Sequence, residues 1–377
     1  MLESRLYYIY IDTHIHGAID QLVGYFQANI FDADSCIYVL CKYYKDIAPY
    51  IEKKFKRENI PYKFIRNNKD LNLIKDTVVL YLFNAQSNCK LVANRNLTHI
   101  FVSHGESHKL ASIKPILRIY DFIVTSGQVS IDRLLKGNIF SLNDISVEKK
   151  VITLGDTFIG KNLFKYDSNS ESLLYAPTWE GGVPEENYSS LDESLVTYLL
   201  KFVQIKKISK IYIQPHPNIG HRDKKYLKYL RNIVKKLQQM KIDIIVLKHN
   251  PTIFDYLFYP KVERIDLNSL NKKVCCAITD ISAMEMQLVH ENIPTQVLVT
   301  SKIMSELVVP SKVKHLYVPQ AGMDITERDH FFKKNRNYFF GYIEASLLSM
   351  TYKDRVIWLC TYAKALKKQK ESEALNY

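Results

Sequence analysis

Residues 274–290 read VCCAITDISAMEMQLVH, an apolar run that leads through a polar turn into a second apolar pattern. The run from Val274 to Ile278 contains no charged residue, which is typical of a strand that is buried on both faces. The spacing of apolar side chains from Ala283 to His290 predicts a helix. A buried strand followed directly by a helix is the repeating unit of a parallel α/β sheet.

The same alternation of apolar and amphipathic runs extends over most of the chain. Further strands are predicted at Leu6–Ile11, Cys36–Leu40, Tyr62–Ile65, Val78–Leu82, His99–Val102, Phe122–Thr125, Leu173–Tyr175, Ile211–Ile213, Asp243–Leu247 and Thr295–Leu298. Further helices are predicted at Tyr44–Lys56, Ser107–Arg118, Leu191–Val203 and Asp223–Met240. Because the strands are apolar throughout and separated by helices, the sequence predicts an α/β fold with parallel sheets covered on both faces.

The length of 377 residues suits about two domains. The polar stretch Gly155–Ser172 predicts the boundary, so we expect α/β domains at residues 1–160 and 161–328. From about Asp329 the chain is helical again, and Lys364–Tyr377 is predicted to be a basic, unconstrained tail. Two such domains place a ligand cleft between them, at the carboxyl ends of their strands.

The composition indicates what kind of molecule the protein binds and in which cellular compartment it is found. The formal net charge is +13, carried by scattered lysine pairs, which favours an anionic small substrate or an anionic membrane leaflet over nucleic acid. The six cysteines form no CxxC pair and are expected to be reduced. Residues 1–5 do not resemble a signal peptide, and no apolar stretch reaches about 18 residues. A cytoplasmic protein is therefore expected.

Four short motifs follow predicted strands. The first, SHGESHK at residues 103–109, comes after the run Ile100–Val102. Histidine side chains in general titrate near neutrality, so a histidine at position 104 could take the proton of an attacking hydroxyl, while Gly105 allows close backbone approach. We expect the motif to open a helix whose N-terminus, together with Lys109, binds an anion. A histidine that caps a turn is the alternative interpretation.

The second and third motifs are YAPTW at residues 175–179 and QPHP at residues 214–217. Thr178 could donate a hydrogen bond to a phosphate just past the end of its strand. His216 is held between two prolines, which suits a ligand to a diphosphate oxygen better than a core histidine. The alternatives are a proline-ended strand under a packed Trp179 and a histidine satisfied within its own loop.

The fourth motif is the turn at residues 279–282, between the strand and the helix quoted first. Thr279 and Ser282 could meet a phosphate at the helix N-terminus, and Asp280 could orient a hydroxyl. An ordinary helix N-cap uses the same residue types and is the alternative interpretation.

In this order, HGxxxK, YAPTW, PHP and TDxS resemble the motifs of the CDP-glycerol:polyglycerophosphate glycerophosphotransferase family. Members of that family typically show WHGTPLK, YAPT(W/F), HP and TDYSS. The resemblance covers roughly residues 98–300, and the residues before it share only an α/β pattern. The chain departs from the family pattern at Ser103, at residues 106–108, at Ala283 and at Gln287, which stands where the family has an acid.

The resemblance implies a fold of the GT-B type, two Rossmann-like domains facing a cleft, with helices of residues 329–377 crossing back toward the first domain. It implies a transferase that moves a glycerol-phosphate or related polyol-phosphate unit from a CDP-activated donor, CDP-glycerol being favoured. The acceptor would be a hydroxyl of a lipid-linked or polymeric glycan in cell-surface polysaccharide synthesis. No metal or other cofactor is implied, and the enzyme would work at the inner face of the cell membrane, in peripheral contact with anionic lipid.

Carried over residue by residue, the resemblance assigns the catalytic base to His104 and the second catalytic residue, a ligand of the donor phosphate, to His216. The first domain would then be the acceptor side and the second would bind the donor. The other donor-binding residues would be Thr178, Thr279, Asp280 and Ser282, and the acceptor or anion-binding residues Gly105 and Lys109.

Four other interpretations stay open at this point. A nucleotide sugar could replace the CDP-activated donor, in capsule or lipopolysaccharide synthesis. Residues 12–16, DTHIH, resemble the metal site of amidohydrolase barrels, which predicts a metal-dependent hydrolase that uses His14 and His16. Asp32 and Asp34 form the DxD pattern of the other major glycosyltransferase fold, although their position before a strand predicts a turn. A non-catalytic glycan-binding module would not require His104.

Overall fold

A computed structural model describes residues 5–265, 271–317 and 325–374 of the chain. The chain divides into two compact units, each built around a parallel sheet. The first unit comprises Met1–Gly105, Ile113–Gly160 and Asn337–Tyr377. The second comprises Glu106–Ser112 and Lys161–Arg336.

The first unit contains a seven-stranded sheet whose strand pairs are all parallel. Its strands are β1 (Tyr7–Ile11), β2 (Cys36–Lys42), β3 (Tyr62–Ile65), β4 (Val78–Tyr81), β5 (Thr98–Phe101), β6 (Phe122–Thr125) and β7 (Val151–Thr153). They lie in the order β3-β2-β1-β4-β5-β6-β7, which is the Rossmann order with one strand added. The direction of strand addition therefore reverses between β1 and β4.

Helices cover both faces of this sheet, and β1 shows why. All five of its residues are buried, with Tyr7, Ile9 and Ile11 in the core on one face and Tyr8 and Tyr10 in the core on the other. Successive side chains of a strand point to opposite faces, so a strand without polar residues requires cover on both. The helices between the strands are α1 (His16–Gln27), α2 (Ala48–Arg57), α3 (Asn88–Val92), α4 (Gln128–Lys136) and α5 (Leu142–Ser146).

The second unit contains a six-stranded parallel sheet and a separate pair of strands. Its strands are β8 (Phe164–Tyr166), β9 (Ser172–Ala176), β10 (Lys210–Ile213), β11 (Asp243–Lys248), β12 (Val262–Arg264), β13 (Lys272–Val274), β14 (Cys276–Asp280) and β15 (Thr295–Leu298). The six-stranded sheet has the order β12-β11-β10-β9-β14-β15, and β13 pairs with β8. Its helices are α6 (Leu195–Lys206), α7 (Lys225–Gln239), α8 (Ile253–Phe258), α9 (Ala283–His290), α10 (Ser301–Glu306) and α11 (Ile325–Lys334).

These two Rossmann-like units confirm the predicted α/β class. Most predicted strands correspond to observed strands whose ends differ by no more than two residues. The predicted strand Val274–Ile278 is an exception. The chain leaves the two-stranded sheet after Val274 and enters the six-stranded sheet at Cys276, so one apolar run serves two sheets.

The prediction of a helix at Ser107–Arg118 is wrong. The segment instead forms two short 3-10 turns, Leu110–Ile113 and Pro115–Ile119. Pro115 cannot donate a backbone hydrogen bond and excludes the preceding residue from helical geometry, so Lys114 is extended, with ψ at 137°. The motif at residues 103–109 therefore does not open an α-helix.

The chain ends in α12 (Arg336–Phe339) and the long helix α13 (Tyr352–Ala374). The predicted change of domain at residue 329 lies too early. Arg328 of α11 is buried in the second unit, where its guanidinium donates to the Leu316 and Thr295 carbonyls, and the chain returns to the first unit at Asn337.

The prediction of an unconstrained tail from Lys364 is also wrong for the residues that the structure describes. Val356, Leu359, Cys360 and Ala363 are buried at helical spacing, which packs α13 into the core of the first unit. Lys367 is buried and donates to the Leu97 carbonyl at 2.6 Å. The last three residues of the predicted tail, 375–377, lie outside the described residues.

Candidate functional site

Three of the predicted motifs meet in the second unit, at the carboxyl edge of its six-stranded sheet. Thr178 follows β9 and Ser282 follows β14, and these two paired strands are where the strand order reverses. His216 follows β10 on the other side of β9, and its amide donates to the Pro177 carbonyl at 3.0 Å. Open α/β sheets bind their ligands at such a switch point.

Buried polar contacts join the ends of β9 and β14. Asp280 Oδ2 accepts a hydrogen bond of 2.7 Å from the Thr178 amide. Thr279 Oγ1 donates to the Ala176 carbonyl at 2.9 Å. Thr178, Thr279 and Asp280 are all buried. Thr279 and Asp280 therefore hold the two strand ends together, in addition to any contact with a ligand.

Lys109 reaches this edge because Glu106–Ser112 belongs to the second unit. Its Nζ donates to Thr178 Oγ1 at 2.9 Å and lies 5.5 Å from the centre of the Tyr188 ring. The Leu110 amide donates to the Tyr188 hydroxyl at 3.1 Å, which fastens the segment next to the lysine. The structure thus brings together Lys109 and Thr178, which the sequence placed in different motifs.

Burial acts on both charged groups of this cluster. It lowers the pKa of Lys109 to about 8, a shift that the charges of Asp280 and Glu186 oppose. Burial also raises the pKa of Asp280 to about 6, against hydrogen bonds from Ser190 and the Thr178 amide. A cation whose burial is only partly offset by nearby carboxylates gains from a further anion, because charges interact more strongly where water is excluded.

The geometry of His216 indicates which ring nitrogen carries the proton. The Asn218 amide donates to His216 Nδ1 at 3.1 Å, so in the neutral ring the proton lies on Nε2. The ring stacks on Trp179, with the ring centres 5.7 Å apart and the planes 12° apart. The neutral ring of His216 can therefore donate a hydrogen bond only through Nε2.

Glu180 organises the loop that follows His216, a role that sequence reasoning missed. This carboxylate is fully buried and accepts hydrogen bonds from the amides of Gly220, Arg222 and Asp223. Gly181 beside it has φ at +75°, and a Cβ there would lie 2.4 Å from the Glu186 carbonyl oxygen. The sequence signal was the acidic residue between Trp179 and two glycines.

Ser282 begins α9 without capping it. Its Oγ lies 3.4 Å from Thr279 Oγ1, and it makes no side-chain hydrogen bond to the backbone of the helix. A helix N-terminus presents backbone amides and a partial positive charge. The first turn of α9 therefore offers donors to an anion at the same edge as Lys109 and His216.

His104 and Gly105 belong to the first unit, after β5. His104 is exposed, and its Nδ1 lies 3.0 Å from the Leu82 carbonyl oxygen, which can only accept. In the neutral ring this contact places the proton on Nδ1 and the lone pair on Nε2, the form that a general base needs. Gln21 of α1 donates to the His104 carbonyl at 2.6 Å. Gly105 has φ at +120°, a conformation that side-chain-bearing residues rarely adopt.

The hydrolase interpretation is wrong, because the described residues form open parallel sheets and not a closed eight-stranded barrel. His16 is the first residue of α1, and His14 Nδ1 lies 3.0 Å from Asp46 Oδ2. Among the residues that the structure describes, no cluster of three or more His, Cys, Asp or Glu side chains could hold a metal ion. Asp32 of the DxD pattern accepts the Ser35 amide in a turn before β2.

No protein-family model matches this sequence, and no curated protein sequence matches it significantly. Solved structures match it over nearly the full length. The co-structure of S. aureus MnaA with UDP matches with a TM-score of 0.51 and 12% identity, covering 96% of this chain and 97% of that chain. The chain has the GT-B fold.

Two further structures match less well. Glycyrrhiza uralensis UGT73P12, complexed with glycyrrhetinic acid 3-O-monoglucuronide, has a TM-score of 0.44 at 12% identity and covers 98% of each chain. E. coli heptosyltransferase WaaC with ADP has a TM-score of 0.36 at 9% identity, covering 88% of this chain and 100% of that chain.

Proposed function

We propose that this chain is a transferase of cell-surface glycan synthesis that takes a group from a nucleotide diphosphate donor. The observation that carries the proposal is the cluster of Lys109, Thr178 and His216 at the switch point of the second unit. A partly buried cation, a histidine directed to donate through Nε2 and an uncapped helix N-terminus are the groups that bind a diphosphate.

The order of the motifs supports one candidate for the transferred group. Their resemblance to the glycerophosphotransferase family supports CDP-glycerol as the donor and a hydroxyl of a lipid-linked or polymeric glycan as the acceptor. A nucleotide sugar is the second candidate, supported by the UDP bound in the MnaA structure, which shares the fold. In both cases Lys109, His216 and the α9 amides would stabilise the leaving phosphate, and the proposal assigns no metal or other cofactor.

The chemistry needs a base as well as a phosphate site. With CDP-glycerol, the acceptor oxygen would bond to the phosphorus that carries glycerol, the bond from that phosphorus to CMP would break, and CMP would leave. With a nucleotide sugar, the oxygen would attack the anomeric carbon and a nucleoside diphosphate would leave. His104 Nε2 would take the acceptor proton in either reaction. We propose that the reaction takes place at the cytoplasmic face of the membrane.

A thermal-stability panel with CDP, UDP, GDP and CMP tests this function. A nucleotide that binds only the native state should raise the free energy of unfolding by about 2.7 kcal/mol at a concentration about 100-fold above its Kd. A shift with CDP and CMP supports the polyol-phosphate donor, and a shift with UDP alone supports the nucleotide sugar. If none of the four raises the midpoint of unfolding, the proposed function is wrong.

Nucleotide affinity should fall as the pH rises through about 8, up to about tenfold per pH unit. Lys109 loses its proton near this pH in the free protein, whereas a bound phosphate favours the charged lysine, so binding above this pH must take up a proton. Titration calorimetry across this range measures the effect. The slope should disappear in Lys109→Met and persist in the control Lys225→Met, which removes an exposed lysine paired with Asp223. An unchanged slope in Lys109→Met contradicts the assignment.

A further inference from the structure

Helix α8 exposes its apolar side chains and buries its acidic one. Ile253, Phe254 and Leu257 are 79%, 67% and 72% exposed, and Tyr256 and Phe258 are also exposed. Asp255 is buried, accepts the Thr252 amide in a capping box and pairs with Lys248. The helix is therefore anchored through its polar residue, with its apolar residues outward. An exposed apolar cluster of this kind marks an interaction site.

A basic stripe borders this apolar cluster. Lys228, Arg231 and Lys235 of α7, with Lys224 at its N-cap, recur at intervals of three and four residues and so share one face. The three lysines are exposed. The Arg231 guanidinium lies 3.7 Å from the centre of the Phe258 ring, which places the stripe directly beside α8. Helix α7 contains no Asp or Glu that would neutralise it.

We propose that α8 and the basic stripe of α7 form a docking surface for an anionic lipid bilayer. The exposed side chains of α8 would enter the boundary between headgroups and acyl chains, and the stripe would contact anionic headgroups. Among the described residues, no helix is both long and apolar enough to span a membrane, so this contact is an interfacial one. The proposal does not rest on the nucleotide donor or on the proposed reaction.

Two observations favour a bilayer over a second copy of the chain. A symmetric dimer through α8 would place two copies of the basic stripe at one interface, which like-charge repulsion disfavours. A helix of six residues is also only about 9 Å long. A stable protein interface buries about 800 Å² on each partner, whereas a few apolar side chains suffice to bind a bilayer together with basic residues.

Helix α8 lies at the same sheet edge as the candidate phosphate site. Helix α8 begins five residues after β11, which pairs with β10, the strand that His216 follows. The apolar cluster and the candidate phosphate site thus extend from neighbouring strands at the carboxyl edge of one sheet. A bilayer held at α8 would bring a lipid-linked acceptor close to that edge. In α13, by contrast, Lys367 is buried and donates to the Leu97 carbonyl.

Flotation of the full chain with vesicles tests the proposal. The chain should float at low salt with an equimolar mixture of phosphatidylcholine and phosphatidylglycerol and stay behind with phosphatidylcholine alone. Phe254→Ser with Leu257→Ser should weaken binding about 100-fold, at about tenfold per inserted side chain. Lys228→Ala with Lys235→Ala should weaken it roughly 25-fold, at about fivefold per lysine.

A matched control is Ile205→Ser with Leu348→Ser, since these side chains are 73% and 67% exposed elsewhere. It should float like the unmodified chain. The nucleotide-induced thermal shift should be the same in every variant, so loss of vesicle binding is distinguishable from loss of the donor site. The proposal is overturned if the Phe254/Leu257 variant floats normally or if phosphatidylcholine alone suffices. It is also overturned if size-exclusion chromatography shows a dimer that this variant dissociates.

Discussion

Replacing His104 by alanine should lower turnover about 10²–10⁴-fold and leave nucleotide affinity nearly unchanged. His104 Nδ1 faces the Leu82 carbonyl, so the neutral ring presents a lone pair on Nε2 and can accept the acceptor proton. This residue lies in the first unit, whereas the candidate phosphate ligands lie in the second. Its loss should therefore remove proton transfer without removing a donor contact. Release of the nucleotide product and calorimetric binding measure the two effects.

The comparison with His216→Ala makes this test specific. His216 is proposed to bind the donor phosphate before the chemistry begins, so its loss should weaken nucleotide affinity as well as turnover. His221→Ala is the matched control, because His221 is an exposed histidine in the loop that follows His216. Near-normal turnover in His104→Ala would show that this residue is not the base. Equal affinity losses in the first two variants would show that the two roles are wrongly divided.

Replacing Arg328 by methionine should lower the free energy of unfolding by about 3–5 kcal/mol. Arg328 is 1% exposed and forms an ion pair with Glu285, which is equally buried. The Tyr317 hydroxyl also donates to Glu285 at 2.7 Å. Without the guanidinium, a buried carboxylate would keep only this one described donor and would lose its counter-ion. Urea unfolding monitored by circular dichroism measures the loss.

Two controls separate this cost from a general effect of losing an arginine. Arg57→Met removes an exposed arginine that pairs with the adjacent Glu58, and should cost less than about 1 kcal/mol. Glu285→Leu combined with Arg328→Met should recover most of the lost stability, because the carboxylate is then also removed. If the double variant is as unstable as the single one, the cost arises from lost packing and not from the unpaired carboxylate.

The sequence alone was sufficient to predict the α/β class of the fold. Strands such as β1 and β9 contain apolar residues at both odd and even positions, so they can be stable only when both faces of a sheet are covered. This property is local, and the predicted strand ends were correspondingly close to the observed ones. The prediction of elements failed at Cys275, where one apolar run belongs to two sheets. It also failed at Pro115, which interrupts an apparently helical pattern.

The motifs of the candidate site were also visible in the sequence, because they lie directly after predicted strands. Their partners were not. Lys109 meets Thr178 across 69 residues, and Thr178 meets Asp280 across 102. These contacts form because β9 pairs with β14 and because residues 106–112 are part of the second unit. Neither can be derived from the properties of one segment.

Burial determined the pKa values of Lys109 and Asp280. The sequence identifies Lys109 as a cation and Asp280 as an acid, but only their removal from water brings the two pKa values to about 8 and about 6. The same holds for α8, whose sequence IFDYLF does not show which of its side chains water reaches. The tertiary structure buries Asp255 and exposes its apolar neighbours, because Lys248 pairs with this carboxylate at the end of β11. Residue types and their order therefore come from the sequence, whereas the fold determines which groups water reaches.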